Sequence, residues 1–573
     1  MEEKKQKIGR IDFCLLFGWL AIGTILRFTN LADKPASSIE IATLGFSLGH
    51  SFSAIPLDEL VSTSTLLSPL KLDLTISSTD IINRLFTEST HPPLYFWLTH
   101  WWIKLFVNDG ELVPLQIGRS LSAIFGGLAI PAMFGLSRLA FRERLTAHLT
   151  AILMALSPYG IYLAQEARHY TLSILWIIAS LSCMLVAIEH IYHRRKISWW
   201  ISLVWIVINS LGIATHYFFS LALGLEALVI AGFWFWQRIE GKQCSFNYWL
   251  PIIVAGLGTL AGCLVWLPVA SSISSNELTD WIETSYDLDE IWQPILRSLG
   301  WLTTMVILLP IEGVPKAIAI CSGIIILLGS IWVTPILIRG YKSLLNSSQN
   351  LSLTLLGGYG LGAIILYLFL IYGYGKDVSL AARYHFIYFP VVILILAATL
   401  TQLCHPSFWK KDNSKPKWFY IEGRKFVAVV LIASLIGSLT VVNNFGYRKS
   451  RDSNRLAAHI EATSTAPVVI ATTYETLSQL RELIALALAL ETIHEQSQAV
   501  APQFVLLRRN KQHDLILDNI LFSLPKPLDM WGVNLRDNEI HLNHINCIKD
   551  NKAKLSDSGY KNRVYHCQRV VRE

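Results

Sequence analysis

Charged side chains are scarce in this chain of 573 residues. Only 16% of its residues are Asp, Glu, Lys or Arg, whereas 53% are hydrophobic and 19 are Trp. Soluble globular domains have about a quarter of their residues charged, so a series of soluble domains is excluded. Apolar runs of roughly 18–25 residues recur instead, and runs of that length are typical of membrane-spanning helices. The composition predicts a polytopic α-helical membrane protein.

Other absences narrow the function. The eight Cys residues include no CxxC pair, which argues against a structural metal site. No small-residue cleavage site follows the basic N-terminus, so we expect the first apolar run to be retained as a helix. The net charge of +7 is modest and falls in short loops, which indicates membrane topology and no nucleic-acid partner.

Eleven apolar runs are long enough to be predicted membrane spans. They lie near residues 12–28, 116–138, 147–164, 170–189, 198–215, 218–237, 249–269, 317–338, 353–373, 386–403 and 426–442. This pattern predicts about eleven transmembrane helices within a membrane-embedded domain over residues 1–442.

Basic residues predict the orientation, because Lys and Arg concentrate in cytoplasmic loops. Basic clusters occur at residues 4–10, 138–144, 194–196, 238–242, 339–342 and 410–425. All six clusters lie on the cytoplasmic side only if the run at 92–107 does not cross the membrane. His100 and Lys104 interrupt this run. We expect that run to be a helix at the outer interface, within a long external loop over 29–115. The N-terminus is then cytoplasmic.

The last part of the chain differs in character from about residue 443. Strand-like runs at 467–471 and 503–507 flank a helical pattern at 476–491, which predicts a small extracytoplasmic α/β domain over 443–573. Cys547 and Cys567 lie in this domain, and outside the cytoplasm a disulfide between them is expected.

Polar motifs recur on the predicted external face. Carboxylates together with Arg and Lys there suit a phosphate-bearing lipid substrate. If residues 157–172 are helical, Glu166 shares a face with Tyr170, and Gln165 with His169. Each of these polar motifs also has a purely structural explanation, as a helix-end ion pair, a helix that begins with proline, an anchor at the membrane interface or a charge at the membrane boundary. The candidate substrate-binding residues are His91, Pro93, Tyr95, Gln165, Glu166, Arg168, Tyr170, His216, Tyr217, Lys376, Arg383 and Tyr384.

Several of these motifs resemble a known family. The stretches are HPPLY (91–95), Arg119-Ser120, ALSPYGIYLAQEARHYTL (155–172) and ARYHFIYFP (382–390). Over about residues 10–400 the chain resembles bacterial members of glycosyltransferase family 39, related to protein O-mannosyltransferases and lipid A aminoarabinose transferases of the GT-C superfamily. The resemblance implies a GT-C-like helical bundle. It also implies inverting transfer of a sugar from a polyprenyl-phosphate donor, outside the cytoplasm.

The family's acidic pair is incomplete here. The resemblance implies an Asp-Glu pair in a stretch like KPxWxDExxT, and residues 34–43 read KPASSIEIAT. Glu40 is present, but Ile39 takes the Asp position and cannot accept a proton. Either Glu40 or Glu88 is then the acid/base residue, or the activity has been lost or changed. We expect no obligatory metal cofactor, because no D-x-D-type carboxylate cluster occurs in the loop.

The leading hypothesis is a glycosyltransferase of the plasma (inner) membrane. Arg168, Arg383 and Lys376 would hold the donor phosphate, and His91 and Tyr95 would shape the pocket. The partners are the lipid bilayer, the polyprenyl-phosphate sugar and an acceptor that is protein, lipid or polysaccharide. The alternatives are a catalytically impaired partner or scaffold subunit, which Ile39 suggests, and a lipid-linked sugar transporter.

Overall fold

The chain folds into long helices and one mixed sheet. The computed structural model describes residues 9–89, 91–242, 245–267, 282–283, 286, 290–346, 350–405, 423–497, 501–509, 513–535 and 546–568. Much of the basic clusters at 4–10 and 410–425 lies outside the described residues.

The helices are numbered in chain order. They are α1 (Arg10–Phe28), α2 (Ser38–Ser47), α3 (Thr63–Leu66), α4 (Ser78–Glu88), α5 (Leu94–Lys104), α6 (Leu115–Phe141), α7 (Arg144–Leu156), α8 (Pro158–Ala164), α9 (Tyr170–Tyr192), α10 (Trp199–Thr215), α11 (Phe219–Ile239), α12 (Phe246–Leu264), α13 (Gln293–Thr304), α14 (Lys316–Leu345), α15 (Asn350–Leu368), α16 (Phe389–Cys404), α17 (Gly423–Val442), α18 (Ser453–Thr463), α19 (Leu477–Ser497) and α20 (His513–Ser523).

The chain is a multi-span membrane protein. Among the described residues, eight helices are long and apolar enough to cross a bilayer, the pair α7–α8 passes the same test together, and α10 and α16 are shorter apolar helices. Each predicted span coincides with one of these elements. The number of crossings stays a prediction. Helix α5 has 11 residues, about 16 Å of helix, which is too short for a hydrocarbon core of about 30 Å.

The polar stretch at residues 157–172 is not one continuous helix. Helices α7 and α8 meet at a bend of 54°, where Ser157 caps α8 by accepting from Gly160 N, and Pro158 takes the first helical position. Pro fits there because it lacks a backbone N–H, and the N–H groups of the first turn have no partner within the helix. Helix α8 ends at Ala164 and α9 begins at Tyr170. The condition that residues 157–172 are helical throughout is therefore not met, since the chain turns at 165–169 between two helices.

The chain divides into two compact units. The first comprises Met1–Leu31, Thr90–Tyr95 and Arg119–Tyr447, and the second comprises Ala32–Ser89, Phe96–Gly118 and Arg448–Glu573. The core of the first unit is the helical bundle. The second unit combines most of the predicted external loop with the C-terminal segment. The boundary predicted at residue 442 instead assigns that loop and that segment to different domains.

Two buried arginines donate hydrogen bonds to backbone carbonyl groups in the first unit. Arg27, fully buried in α1, donates to the carbonyls of Gly23, Met154 and Ala155 at 2.8–3.2 Å. Arg119, equally buried in α6, donates to the carbonyl of Leu31 at 2.9 Å. A buried guanidinium needs such partners because its loss of hydration is costly. These two residues tie segments of the bundle together.

A six-stranded sheet forms the centre of the second unit. Its strands are β1 (Leu60–Ser62), β2 (Val468–Tyr474), β3 (Gln503–Arg508), β4 (Leu528–Val533), β5 (Cys547–Asp550) and β6 (Asn562–Cys567), in the order β1-β3-β2-β4-β6-β5. The central strands β3, β2 and β4 are parallel, and helices α19 and α20 connect them, as parallel pairing requires. The predicted strands and helix of the C-terminal domain are confirmed.

Both edges of this sheet carry antiparallel strands. At one edge, β1 from the predicted external loop pairs with β3, with Val61 opposite Phe504. At the other edge, Cys547 of β5 lies opposite Cys567 of β6 and the two form a disulfide. The disulfide expected from the sequence is therefore present.

Candidate functional site

Four chain segments converge at helix ends in the first unit. Arg168 and His169 directly precede α9, His216 follows α10, Arg383 lies in a short 3₁₀ helix (Ala382–Ile387) before α16, and His91 precedes α5. These residues, together with Tyr170 and Tyr384, are called the arginine–histidine cluster below. Most are buried, and His169 is completely so.

Arg168 is held on both its backbone and its side chain. Its N–H donates to Ser122 Oγ at 3.3 Å, and the Ser122 hydroxyl donates back to the Arg168 carbonyl at 2.8 Å. Its Nη2 donates to His91 Nε2 at 3.1 Å, and its guanidinium carbon lies 5.5 Å from the ring centre of Tyr170. Such a cation–π contact holds the charge against an aromatic face.

Three imidazole rings lie side by side. The ring centres of His169 and His216 are 4.3 Å apart, and those of His91 and His169 are 5.5 Å apart. Nδ1 of His216 accepts the N–H of Phe218 at 2.9 Å. His91 accepts from Arg168 at Nε2. In a neutral imidazole only one ring nitrogen carries hydrogen, so the hydrogen lies on Nε2 of His216 and on Nδ1 of His91.

The electrostatics of the cluster favour neutral histidines. Burial first, and then the charges of Arg168 and Arg383, lower the pKa of His216 from 6.5 to about 3. Burial, followed by the neighbouring His216 and Arg168, holds the pKa of His169 well below its usual range. Burial and nearby positive charge both oppose protonation of an imidazole. At neutral pH His169 and His216 are therefore neutral, and the two arginines supply the positive charge.

Aromatic rings surround the second arginine. The guanidinium carbon of Arg383 is 5.2 Å from the ring centre of Tyr384, which is 5.0 Å from the ring of Phe218. Phe386 is 5.7 Å from Tyr170 and 5.4 Å from His216. Together with Arg168, this arrangement offers two forked cationic donors within an aromatic wall, which is the chemistry that binds a phosphate group.

The remaining predicted substrate-binding residues of the first unit differ in position. Tyr95 is buried, with its hydroxyl 2.7 Å from Ser122 Oγ and its ring 6.0 Å from His169. Gln165 donates to the carbonyls of Leu26, Arg27 and Thr29, at 2.8 Å for the last, and so caps α1. Glu166 is buried, and Pro93 and Tyr217 are half-buried.

Lys376 forms an ion pair instead of standing alone as a phosphate ligand. Its ammonium pairs with Glu283, and the two residues also form a β-bridge. Next to it, the buried Asp377 accepts from Arg297 at 2.7 Å and from Ser379 N at 2.9 Å. The ion pair gives Lys376 a structural contact that the sequence pattern did not reveal. Its phosphate-binding role stays a prediction.

Glu40 is fully buried in the second unit and participates in a helix cap. It is the third residue of α2, where its carboxylate accepts from Ser37 N at 3.1 Å and Ser37 Oγ at 3.2 Å. This reciprocal arrangement is a capping box. Lys449 Nζ lies 3.8 Å from the same carboxylate oxygen. The lysine was not expected from the sequence, because 409 positions separate it from Glu40.

Glu88 also lies in the second unit and is more exposed. It ends α4, where it pairs with Arg84 at 3.0 Å and accepts from Ser51 Oγ at 2.9 Å. Its side chain is 16% exposed. Both acid/base candidates are thus carboxylates with basic neighbours, and their catalytic roles stay predictions.

The sequence interpretation left His169 and Ser122 out of the site. His169 was noted only as a partner of Gln165 in a helix that does not form, and Ser122 lies within an unremarkable small-residue run after Arg119-Ser120. A histidine directly beside the Arg of QEARHY was the available signal. Within the described residues, no group of three His, Cys, Asp or Glu side chains is placed to hold a metal ion.

Comparisons with known proteins give structural likeness only. The sequence matches no family model, and no characterised protein matches it. ArnT from Cupriavidus metallidurans bound to undecaprenyl phosphate superposes with a TM-score of 0.50 at 13% identity, over 96% of this chain and 97% of that one. An Archaeoglobus fulgidus oligosaccharyltransferase gives 0.46 at 12% identity, over 83% and 64% of the two chains.

A likeness at this level of identity establishes the fold. It extends over nearly the full length of both this chain and ArnT. A bundle of apolar helices and a C-terminal sheet are present, as the sequence predicts. The chain therefore shares its fold with ArnT.

Proposed function

We propose that the protein is a membrane glycosyltransferase that moves a sugar from a polyprenyl-phosphate donor to an acceptor hydroxyl. The observation that carries this proposal is the convergence of two arginines on the aromatic rings around the buried His216. Arg168 lies over Tyr170, whose ring centre is 5.7 Å from that of His216. Arg383 lies over Tyr384, and the ring of Phe218 lies between Tyr384 and His216, at 5.0 and 5.3 Å. Two arginines in such surroundings bind a phosphate monoester or diester in bidentate fashion. The shared fold with ArnT, whose structure contains undecaprenyl phosphate, supports a lipid phosphate as the donor.

In the proposed reaction, the acceptor oxygen attacks the anomeric carbon of the sugar. The bond from that carbon to the phosphate oxygen breaks, and the lipid phosphate leaves with the bonding electrons. Arg168 and Arg383 stabilise the negative charge that grows on the phosphate. A carboxylate accepts the proton of the acceptor hydroxyl, and Glu40 and Glu88 are the candidates. Attack from the face opposite the phosphate inverts the anomeric configuration.

Turnover of a labelled donor tests the arginines. We expect the purified protein to release undecaprenyl phosphate from one of a panel of undecaprenyl-phosphate-linked sugars when membranes of the source cell supply the acceptor. Arg168→Ala should lower the rate about 10²–10³-fold, the usual effect of removing one transition-state donor. Arg195→Ala is the matched control, because Arg195 is exposed in a loop after α9. Equal rates for both variants would contradict the proposed role.

A non-catalytic role is the second candidate, and one observation favours it. Glu40 is engaged by Ser37 and Lys449, and its neighbour Ile39 cannot accept a proton. If the parent shows no turnover and Ile39→Asp does, the chain is a decayed enzyme, for example one that acts as a partner subunit. Turnover by the parent that Glu40→Gln abolishes would exclude this candidate.

A further inference from the structure

Lys449 lies against the fully buried carboxylate of Glu40 in the second unit. Its Nζ is 3.8 Å from Glu40 Oε2, and its own side chain is 12% exposed, whereas that of Glu40 is 0% exposed. Burial disfavours the ionised form of a carboxyl group, whereas a cation within about 4–6 Å favours it. Lys449 is therefore placed to keep Glu40 charged although the carboxylate is shielded from solvent.

The segment that carries Lys449 is fixed on both sides of the lysine. Before it, Arg448 pairs with Asp452 at 2.5 Å. After it, the backbone of Ser450 lies against Gly559, whose φ is +76° and where an added Cβ atom would be 1.9 Å from the Ser450 carbonyl oxygen. Only glycine tolerates both this conformation and this close approach. The backbone that bears Lys449 is thus held in place.

The same segment is joined to the helix that packs against α2. Arg451 pairs with Glu482 of α19, and α19 packs against α2. The guanidinium carbon of Arg481 in α19 also lies over the rings of Phe46 and Phe52, at 5.6 and 5.0 Å from the ring centres. Because α2 carries the acidic residue, these contacts bring the lysine and the carboxylate together from distant parts of the chain.

Other charged groups lie on the segments that precede or pack against α2. They are Lys34 before α2, Asp80, Arg84 and Glu88 of α4, and Arg481, Glu482, Glu491 and His494 of α19. Arg84 pairs with Glu88 at 3.0 Å, and the imidazole of His494 lies 3.7 Å from the carboxylate of Glu461. Neither of these two pairs involves Glu40, whereas Lys449 lies at ion-pair distance from it.

We propose that Lys449 is a positioning residue that keeps Glu40 ionised, so that Glu40 accepts the proton of the acceptor hydroxyl. This inference rests on the proposed function and assigns the base to Glu40. A buried carboxyl group without a counter-charge takes up a proton, and it then cannot serve as a base. Burying an ion pair adds little net stability, so stability alone gives little reason for this pair. Glu88 differs, because its partner Arg84 is 47% exposed and solvent screens that pair.

The pH dependence of turnover tests the inference. We expect Lys449→Met to lower kcat/KM for the labelled donor about tenfold at pH 6.5 and much less at pH 9, because Glu40 without the cation is protonated at the lower pH and ionised at the higher one. Lys449→Arg should keep the pH profile of the parent, since a guanidinium supplies the same charge. Lys554→Met is the matched control, because Lys554 is exposed in the loop between β5 and β6.

Two results would overturn the inference. An equal loss for Lys449→Met at every pH would mean that the lysine only stabilises the fold. A shift of the pH profile by Arg84→Met, with no shift by Lys449→Met, would assign the base to Glu88.

Failure of the proposed function is separately visible, because the parent would then turn over no donor. Thermal unfolding in detergent then decides whether Lys449 keeps Glu40 ionised. Without the cation, the buried carboxyl group holds a proton in the folded chain that the unfolded chain has lost, so stability falls as the pH rises.

The unfolding temperature of Lys449→Met should therefore lie further below that of the parent at pH 8 than at pH 5.5. Combining Glu40→Gln with Lys449→Met should remove this widening, and Lys449→Gln replaces Lys449→Met if the latter does not fold. A difference that is constant with pH would overturn the inference, as would the same widening in the double variant.

Discussion

At the scale of single residues, the arrangement around His216 combines a buried neutral base with two fixed cations. Arg168 is held by Ser122 and His91, whereas Arg383 lies among aromatic rings. Arg27 and Arg119 are buried more completely than either, but they donate to main-chain carbonyls. Burial alone therefore does not identify a substrate ligand. The convergence of several side chains at helix ends distinguishes Arg168 and Arg383.

The depressed pKa of His216 predicts a pH dependence of stability. Its pKa is about 3 in the folded protein, against 6.5 ordinarily. Between these values the unfolded chain binds a proton that the folded chain does not, so stability is present above pH 6.5 and is lost as the pH falls towards 3. By pH 5 this loss is about 2 kcal/mol, since one pKa unit corresponds to about 1.4 kcal/mol.

Thermal unfolding in detergent measures this effect. The unfolding temperature of the parent should fall between pH 7.5 and pH 5, and His216→Gln should fall less. His169 acts in the same direction, so part of the dependence remains. His405→Gln serves as a control, because His405 is exposed at the end of α16. A pH slope for His216→Gln as steep as that of the parent would contradict the prediction.

At the scale of elements, a polar network joins neighbouring helices of the bundle. Glu226 of α11 is buried, and its carboxyl lies 2.7 Å from Ser180 Oγ of α9. Ser180 also contacts Asn209 of α10 at 2.8 Å and accepts from Trp205 at 2.9 Å. An ionisable residue within a span is costly without such partners. The network therefore specifies which helices are neighbours.

Substitution of Glu226 tests the network. We expect Glu226→Leu to lower the free energy of unfolding by about 1 kcal/mol, the usual size of an interhelical hydrogen bond in membranes, and Glu226→Gln to remain close to the parent. Ser182→Ala is the control, because that hydroxyl bonds within its own helix, to the carbonyl of Ile178. Resistance to thermal unfolding in a mild detergent is the measurement. A stability of Glu226→Leu equal to the parent would rule out a stabilising network.

At the scale of the whole molecule, the odd number of predicted crossings places the two ends of the chain on opposite sides of the membrane. Alkaline phosphatase, which is active only outside the cytoplasm, should be active when fused after Glu573 and inactive when fused after Arg195. Green fluorescent protein should show the reverse. An inactive phosphatase at Glu573 would mean that the orientation derived from the basic loops is wrong.

The amino-acid sequence by itself determined the parts of this protein that depend on neighbouring residues. The spans follow from the length of each apolar run, and strands β2 and β3 follow from short β-branched and apolar runs near residues 468 and 503. The motif QEARHY, which contains Arg168, could also be recognised from adjacent residues alone. These features rest on hydropathy and backbone preference, which act over one helix or strand.

Only the tertiary structure decided what depends on residues far apart in the chain. It brought Arg168, His216 and Arg383 together, paired Glu40 with Lys449, and added β1 to the sheet of the C-terminal segment. It also broke the helix at residues 165–169, so that Arg168 and His169 lie at a turn before α9. Packing between elements sets these contacts, and no local pattern in the sequence specifies which distant segment a side chain meets.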